Sequence, residues 1–502
     1  MIYHSTRSRD VRASGREAVL EGLAADGGLF VTDALVEGAE LPQSVRIDPA
    51  SLAGGDYKAT ARRVLGALLD DFTAEEIAGA VEGAYSGTFS SPLVTPVTAL
   101  GELRMLELWH GPTAAFKDVA LRMLPQLMSR ALAGTDRRLM IATATSGDTG
   151  KAALEGFRDV PGIGISVFYP EGGVSAVQEL QMATQEGANV SVLAVKGDFD
   201  AAQSAVKRLF ATPELKAGLA GLGVTLTSAN SINIGRLVPQ IVYYFDAWRQ
   251  LLEAGEIGPD EKVDFTVPTG NFGDVLAGWC ARRMGLPVGR LIVASNANDV
   301  LTRFLSTGVY DRRRTLEKTI SPSMDILVSS NLERCLFWMD GGDAERSAAR
   351  MRELAEKGFY RIPEALLARL QAEFGCGMAD DDATRASIRE AWEKEGRLID
   401  PHTAVARRVA LENLTPGRKM IVLSTASPYK FCAAVYEALY GRDEALFADP
   451  FAVMDALCRR TGVEPPAPLA GLRGKAVRWR ETGEVAAIPE FVLRAARERL
   501  GA

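Results

Sequence analysis

Hydrophobic and polar positions along this chain fall into two regimes. Over residues 1–95, apolar side chains recur at helical spacing in residues 15–23, 57–69 and 73–85. The third run opens with Thr73 followed by Glu75 and Glu76, a helix-start pattern. Residues 25–30, ADGGLF, are a glycine turn leading into a short apolar stretch. This segment reads as a mostly helical cap packed on something else. From about residue 96 the pattern alternates. Short apolar runs at 103–108, 138–144, 164–168, 189–195, 262–267, 290–294 and 419–423 read as strands. Between and after them, amphipathic stretches beginning at 117, 151, 174, 200, 238 and 275, and one running through 440, read as helices. Strands alternating with helices predict an α/β fold with parallel sheets covered on both faces. Ligands in such folds bind beyond the carboxyl ends of the strands. At 502 residues the chain exceeds a single core. The predicted division is a helical cap (1–95), a smaller α/β domain (96–225), a larger α/β domain (226–445) and a C-terminal extension (446–502).

Composition narrows the function classes. Hydrophobic residues make up 47% and charged residues 24%, with a net charge of −7, as in a soluble globular protein. No basic tract stands out, which argues against a nucleic-acid or membrane-surface partner. A small anionic substrate remains compatible, because it needs only a local site. The five cysteines (280, 335, 376, 432, 458) and three histidines (4, 110, 402) show no ligand-like spacing. No metal site is therefore expected, and a reducing, cytoplasmic setting is. The first residues lack the apolar core of a signal peptide, and no apolar run is long enough to span a bilayer.

Candidate chemistry concentrates at the ends of the predicted strands. In residues 109–124, WHGPTAAFKDVALRML, Lys117 sits where a proline-interrupted loop gives way to an amphipathic helix. The positive end of a helix dipole disfavours an ammonium there. That suits a lysine used as a neutral nucleophile or Schiff base, although an ordinary surface lysine would also fit. TSGDTGK at 145–151 is not a nucleotide-binding P-loop: position 145 is Thr where that pattern needs Gly, and position 152 is Ala where it needs Ser or Thr. What remains is a hydroxyl-rich anion loop at a helix start. TGNFGD at 269–274 is a glycine turn between a strand and a helix. It serves either as a phosphate cup of backbone N–H groups or as a tight turn. SANSINIGR at 228–236 suits helix capping or anion recognition. STAS at 424–427 ends a strand with small hydroxyls, usable at a ring nitrogen or as a helix cap. His110 is either a proton carrier or a structural histidine.

These motifs together resemble the threonine synthases, fold-type II pyridoxal-phosphate enzymes, in their longer bacterial and fungal class. MIYHSTR, AVLEGLAADGGLF, HGPTAAFKD, SGDTG, YPEGGVSAVQELQM, VKGDFDAAQ, SANSIN, TGNFGD, SMDILVSSNLER, IDPHTA and STASPYKF follow in the family's order over nearly the whole chain. The resemblance implies pyridoxal 5′-phosphate as cofactor, joined to Lys117 as a Schiff base. It implies that Thr269, Gly270, Asn271, Phe272 and Gly273 hold the cofactor phosphate through backbone N–H groups, with Asp274 beside them. Thr425 would meet the pyridine nitrogen, and a neutral hydroxyl there weakens the electron sink. Asp148 would approach the phenolic oxygen, where wider relatives carry Asn. The implied substrate is O-phospho-L-homoserine, its phosphate met by Ser146, Thr149, Lys151, Asn230, Ser231, Asn233 and Arg236. The implied reaction is γ-elimination of phosphate followed by addition of water at the β-carbon. This gives L-threonine in the last step of its biosynthesis, in a monomer or homodimer. Two other readings compete. A β-eliminating or β-replacing lyase would have no need of the second anion site, and a non-catalytic binder of phospho-metabolites would have no use for Lys117.

Overall fold

Two parallel sheets, each covered by helices, form the body of the protein. The structure is a computed structural model that describes residues 1–197, 199–210 and 212–501, with backbone alone at 199 and 200. The larger sheet has six strands in the order Phe374–Met378, Val288–Ser295, Val263–Pro268, Met420–Ser424, Leu103–Glu107 and Val97–Leu100. All its neighbours run parallel except the last strand, which folds back antiparallel on Leu103–Glu107. The smaller sheet orders Thr482–Glu484, Val190–Lys196, Ile163–Pro170, Arg138–Ala144 and Val224–Thr227, all parallel. Ile163–Pro170 is buried along its whole length, as expected of a strand covered on both faces.

The predicted strands from 103 onward all form, shifted by at most a few residues. The predicted domain boundaries do not follow the sheets. Leu103–Glu107, expected in the smaller domain, pairs with Met420–Ser424 near the middle of the larger sheet. The C-terminal extension is not peripheral. Thr482–Glu484 adds an edge to the smaller sheet, and Ile488–Leu500 buries Phe491 and Val492 against its core. Pairing between strands some 300 residues apart leaves no mark on local periodicity. Among the strands of the two sheets that went unread are Thr482–Glu484, Val97–Leu100, Val224–Thr227 and Phe374–Met378. The last, FGCGM, carries two glycines that dilute its strand signal.

The cap contains the expected helices Gly15–Glu21, Tyr57–Leu68 and Ala74–Tyr85. The third has a full capping box between Thr73 and Glu76. The cap is not only helical, however. Ile2–Ser5 pairs antiparallel with Arg12–Ser14 and Phe30–Val31. Strands of two to four residues are too short for alternation to show. This small sheet docks on the larger domain: Trp338 Nε1 donates to Thr32 O at 2.9 Å and Arg334 Nε to Phe30 O at 3.0 Å. The motif VKGDFDAAQ includes Asp198, which lies outside the described residues. No described helix is long and apolar enough to cross a membrane.

The helix Lys117–Leu132 lies between the two halves. It packs on the helices Gly15–Glu21, Ala74–Tyr85, Asp148–Phe157 and Ile234–Glu253. Its crossing with Asp148–Phe157 depends on Gly156, where an added Cβ would sit 2.0 Å from the carbonyl oxygen of Leu121. Backbone cannot yield there as a flexible side chain would. Gly156→Ala is expected to destabilise the protein by about 1–3 kcal/mol through overpacking, read as a lowered urea midpoint with unchanged slope.

Candidate active site

Lys117 is the first residue of its helix, as its sequence position predicted. Phe116 precedes it with no side-chain cap, so the helix end keeps its positive field. The turn before it is held from two sides. Ala114 takes a left-handed conformation (φ 58°), and Asp118 accepts from Thr113 N at 2.8 Å and Thr113 Oγ1 at 2.7 Å. The backbone of 114–116 is also clamped to the end of the Met420–Ser424 strand: Phe116 N donates to Thr425 O at 2.8 Å and Ser427 N to Ala114 O at 3.0 Å. Thr425 and Lys117 are therefore fixed relative to each other by main chain.

A cleft opens above Lys117. Its walls are Phe116, Lys117 and Thr149 on one side, the turn from Pro268 to Asp274 on another, and Ser231, Arg236 and Gln240 on a third. Ser323, Met324, His402 and Thr425 complete it. The turn is shaped as a cup. Phe272 adopts φ 62°, a costly conformation for an aromatic residue, and starts the helix Gly273–Arg283 with no side-chain cap. A Cβ at Gly270 would come within 3.2 Å of Ser323 O, and one at Gly273 within 3.2 Å of Asn331 Nδ2. The cup is held from behind, where Ser329 Oγ donates to Gly270 O at 2.7 Å and Asn331 N to Asn271 O at 3.0 Å. One member of the predicted set is corrected. The Thr269 N–H is spent on Ala294 O at 2.9 Å within the sheet, so Gly270 to Gly273 are left as the N–H cradle.

Charges in and beside the cleft are closely coupled. Asp148 stands at the first turn of its helix, 3% exposed, with Oδ2 3.7 Å from Lys117 Nζ and Oδ1 2.7 Å from Lys430 Nζ. Gln178 Nε2 also donates to Oδ1 at 2.8 Å and Ser323 Oγ to Oδ2 at 3.3 Å. Burial alone would raise this carboxyl, but Lys430 and Lys117 outweigh it and hold it well below the usual carboxylate range. Burial lowers the Lys117 ammonium to about 8; Asp148 opposes that, while Lys430 and Arg236 push the same way as burial. Asp274 is raised to about 6 by burial, against hydrogen bonds from Tyr243 and Tyr244, and its Oδ2 has no partner. Arg236 is 2% exposed and is lowered to about 10 by burial. Its Nη1 donates to Ala229 O at 2.8 Å, while its Nε is left without a partner.

Several predicted residues lie elsewhere. Lys151 turns away from the cleft to pair with Glu155 at 3.1 Å and with Gln185. One helical turn beyond Asp148, its side chain follows the helix face away from the strand ends. Asn233 is the N-cap of Ile234–Glu253, accepting from Gly235 N at 2.8 Å and donating to Val19 O at 2.9 Å. That is the capping role its context also allowed. Ser146 and Asn230 are not among the cleft-lining residues. Thr149, Ser231 and Arg236 are. His110 bonds Glu107 at 2.8 Å and Ser90 at 3.1 Å and stacks on Trp109, a structural arrangement outside the cleft. Residue-level reasoning missed Lys430, His402 and Ser323, although all three stand inside quoted motifs. His402 bonds Asp400 through Nδ1 at 2.6 Å and accepts from Ser323 N through Nε2 at 3.1 Å. It thereby ties the segment over the cup to the helix Pro401–Glu412.

Comparison with known proteins places this geometry. Residues 102–373 match the family profile described as pyridoxal-phosphate dependent enzyme. Residues 2–85 match the threonine synthase N terminus and 403–492 the threonine synthase C-terminal region. The threonine synthase of Pseudomonas aeruginosa is 40% identical over 453 residues, covering 89% of this chain and 92% of that protein. The chain belongs to the threonine synthase family. The crystal structure of pyridoxal-phosphate-bound threonine synthase from Brucella melitensis superposes with a TM-score of 0.85 at 38% identity, covering 99% of this chain and 100% of that one. The yeast threonine synthase structure gives 0.84 at 32% identity, covering 100% and 99%.

The cofactor of this family, pyridoxal 5′-phosphate, fits the residues present. The glycine cup at an uncapped helix end suits its phosphate, and Lys117 offers the amine. That amine has to be neutral, because an ammonium cannot attack an aldehyde. With Lys117 near 8, the reactive amine is about half the population at pH 8 and roughly a tenth at pH 7. The rate at which stripped protein takes up pyridoxal phosphate is therefore expected to rise about tenfold per pH unit below 8 and level off above it, followed by stopped-flow absorbance.

Proposed function

We propose that this chain makes L-threonine from O-phospho-L-homoserine with release of inorganic phosphate, the last step of threonine biosynthesis. The observation that carries this reading is one lysine in a cleft lined by two separate sets of donors suited to anions. One is the Gly270–Gly273 turn. The other is Arg236 with Ser231 and Thr149. A β-eliminating lyase acting on serine or threonine would bring only the substrate carboxylate, with no second anion for Arg236 to meet. A non-catalytic binder would gain nothing from an amine depressed to about 8.

When bound, pyridoxal phosphate supplies an electron sink next to the substrate amine, so that protons on the α- and then the β-carbon become acidic. The chain's own groups do the rest. The backbone N–H groups of Gly270 to Gly273, backed by the helix dipole, hold the cofactor phosphate. Thr425, fixed to the Lys117 turn by main chain, presents a neutral hydroxyl to the cofactor ring. Lys117 Nζ, beside the α-carbon, would take its proton and return protons later. Arg236 holds the substrate phosphate by charge-assisted hydrogen bonds and stabilises it as it leaves. Ser323 and Met324 line the cleft beside the cup, where they would restrict water to the molecule that adds at the β-carbon. The five unpaired cysteines support a reducing, cytoplasmic setting.

The deciding experiment measures phosphate release from O-phospho-L-homoserine together with amino-acid analysis of the product. Threonine in equal amount to phosphate supports the proposal. Release with a keto acid would show that water addition fails, and no release from cofactor-loaded protein would move the function to another lyase. Lys117→Ala is expected to abolish turnover. Arg236→Met is expected to raise KM for the phosphorylated substrate by about 10- to 100-fold, the worth of a hydrogen bond to a charged group.

A further inference from the structure

We propose that Lys430 is a positioning residue for Lys117: it holds Asp148 with one carboxylate oxygen turned toward the Lys117 side-chain nitrogen, and it grips the turn that launches the Lys117 helix. The proposal rests on the reading of Lys117 as the cofactor lysine and deepens it. Lys430 is 0% exposed and sits in the turn Pro428–Phe431, just beyond Thr425. It does not line the cleft, so it acts through its neighbours. Its Nζ donates to Asp148 Oδ1 at 2.7 Å and to Thr113 O at 3.0 Å. Gln178 occupies the same carboxylate oxygen at 2.8 Å. That leaves Oδ2 for Ser323 Oγ at 3.3 Å and Lys117 Nζ at 3.7 Å. Each oxygen thus has its own neighbours, and the carboxylate is held against rotation.

The second contact reaches the other end of the same machinery. Thr113, whose carbonyl Lys430 holds, donates both its N–H and its hydroxyl to Asp118, the residue after Lys117. Lys430 therefore grips both the acid that faces Lys117 and the turn that launches its helix. A purely space-filling role would need no charge, since a buried ammonium costs more than an apolar side chain of equal volume. The charge pays off only in the electrostatics of its neighbours. Lys117 faces Asp148 and Asp274 of opposite sign and Lys430 and Arg236 of like sign, and His402 lines the same cleft. Lys430 itself faces Asp148 and Asp118. Removing Lys430 deletes a like charge from around Lys117. Removing Asp148 deletes an opposite one. Removing both nearly cancels.

The test uses the full-length protein with pyridoxal phosphate bound and follows the pH midpoint of the visible absorption of the lysine-attached cofactor. Lys430→Met is expected to move the midpoint up by about one unit, a tenfold gain in proton affinity, and Asp148→Asn to move it down. The double variant D148N/K430M is expected to return to within about half a unit of the wild type, and Lys430→Arg to stay with it. A wild-type midpoint in K430M, a K430R protein that titrates like K430M, or a folded double variant that keeps a single variant's shift would overturn the proposal. Where K430M does not fold, K430R and the double variant decide. Failure of the underlying reading looks different: the wild type would show no lysine-attached absorption, or Lys117→Ala would retain it.

Discussion

The structure turns on a backbone clamp three residues long. Ala114 to Phe116 hydrogen-bond to Thr425 and Ser427 at the end of the Met420–Ser424 strand. That strand lies between Val263–Pro268 and Leu103–Glu107, near the middle of the larger sheet. The helix launched from the clamp packs against Asp148–Phe157, which follows a central strand of the smaller sheet. The clamp therefore anchors the Lys117 helix to the larger sheet, and the packing of that helix on Asp148–Phe157 ties it to the smaller one. Everything the cleft needs follows from it. Lys117 comes from the clamp itself and Asp148 from the smaller sheet. The glycine cup comes from Val263–Pro268 and Thr425 from the strand beside it. Side chains on a single rigid element could not converge in this way, and side chains on free loops would not hold the spacing.

Much of this was legible in the sequence, for physical reasons that differ from place to place. The Lys117 helix start was readable because a proline-bearing loop met an amphipathic run. The cup was readable because a strand ending in Gly-Asn-Phe-Gly has few ways to turn into a helix. Thr73 announced its capping box through Glu76. Strand order was not readable, since the pairing of Leu103–Glu107 with Met420–Ser424 spans most of the chain. Within the site, short polar residues were the ambiguous ones. Asn233 and Lys151 stand in the same kind of stretch as Ser231 and Thr149, yet one caps a helix and the other pairs with Glu155. Which of these side chains meets the cleft depends on where the strand ends and neighbouring helices lie, which local spacing does not encode. Lys430 and His402 escaped residue-level reasoning for a related reason: their partners, Asp148 and Ser323, are remote in sequence.

The charge arrangement explains how an acidic protein can hold a phosphorylated cofactor. Net charge acts at long range and is screened within about 8 Å at physiological salt. The cleft answers to its own neighbours. In and beside it Lys430 and Arg236 are buried and Lys117 is nearly so, and the carboxylate among them that stays firmly ionised is Asp148. Asp274, raised to about 6 behind the cup, is the group whose negative charge would oppose a bound phosphate, and burial already favours its neutral form. A bound phosphate dianion would raise it further. Tyr243 and Tyr244 both donate to its Oδ1, which leaves Oδ2 without a partner. A bound phosphate therefore meets cations nearby and, at Asp274, a carboxyl whose charge burial already weakens.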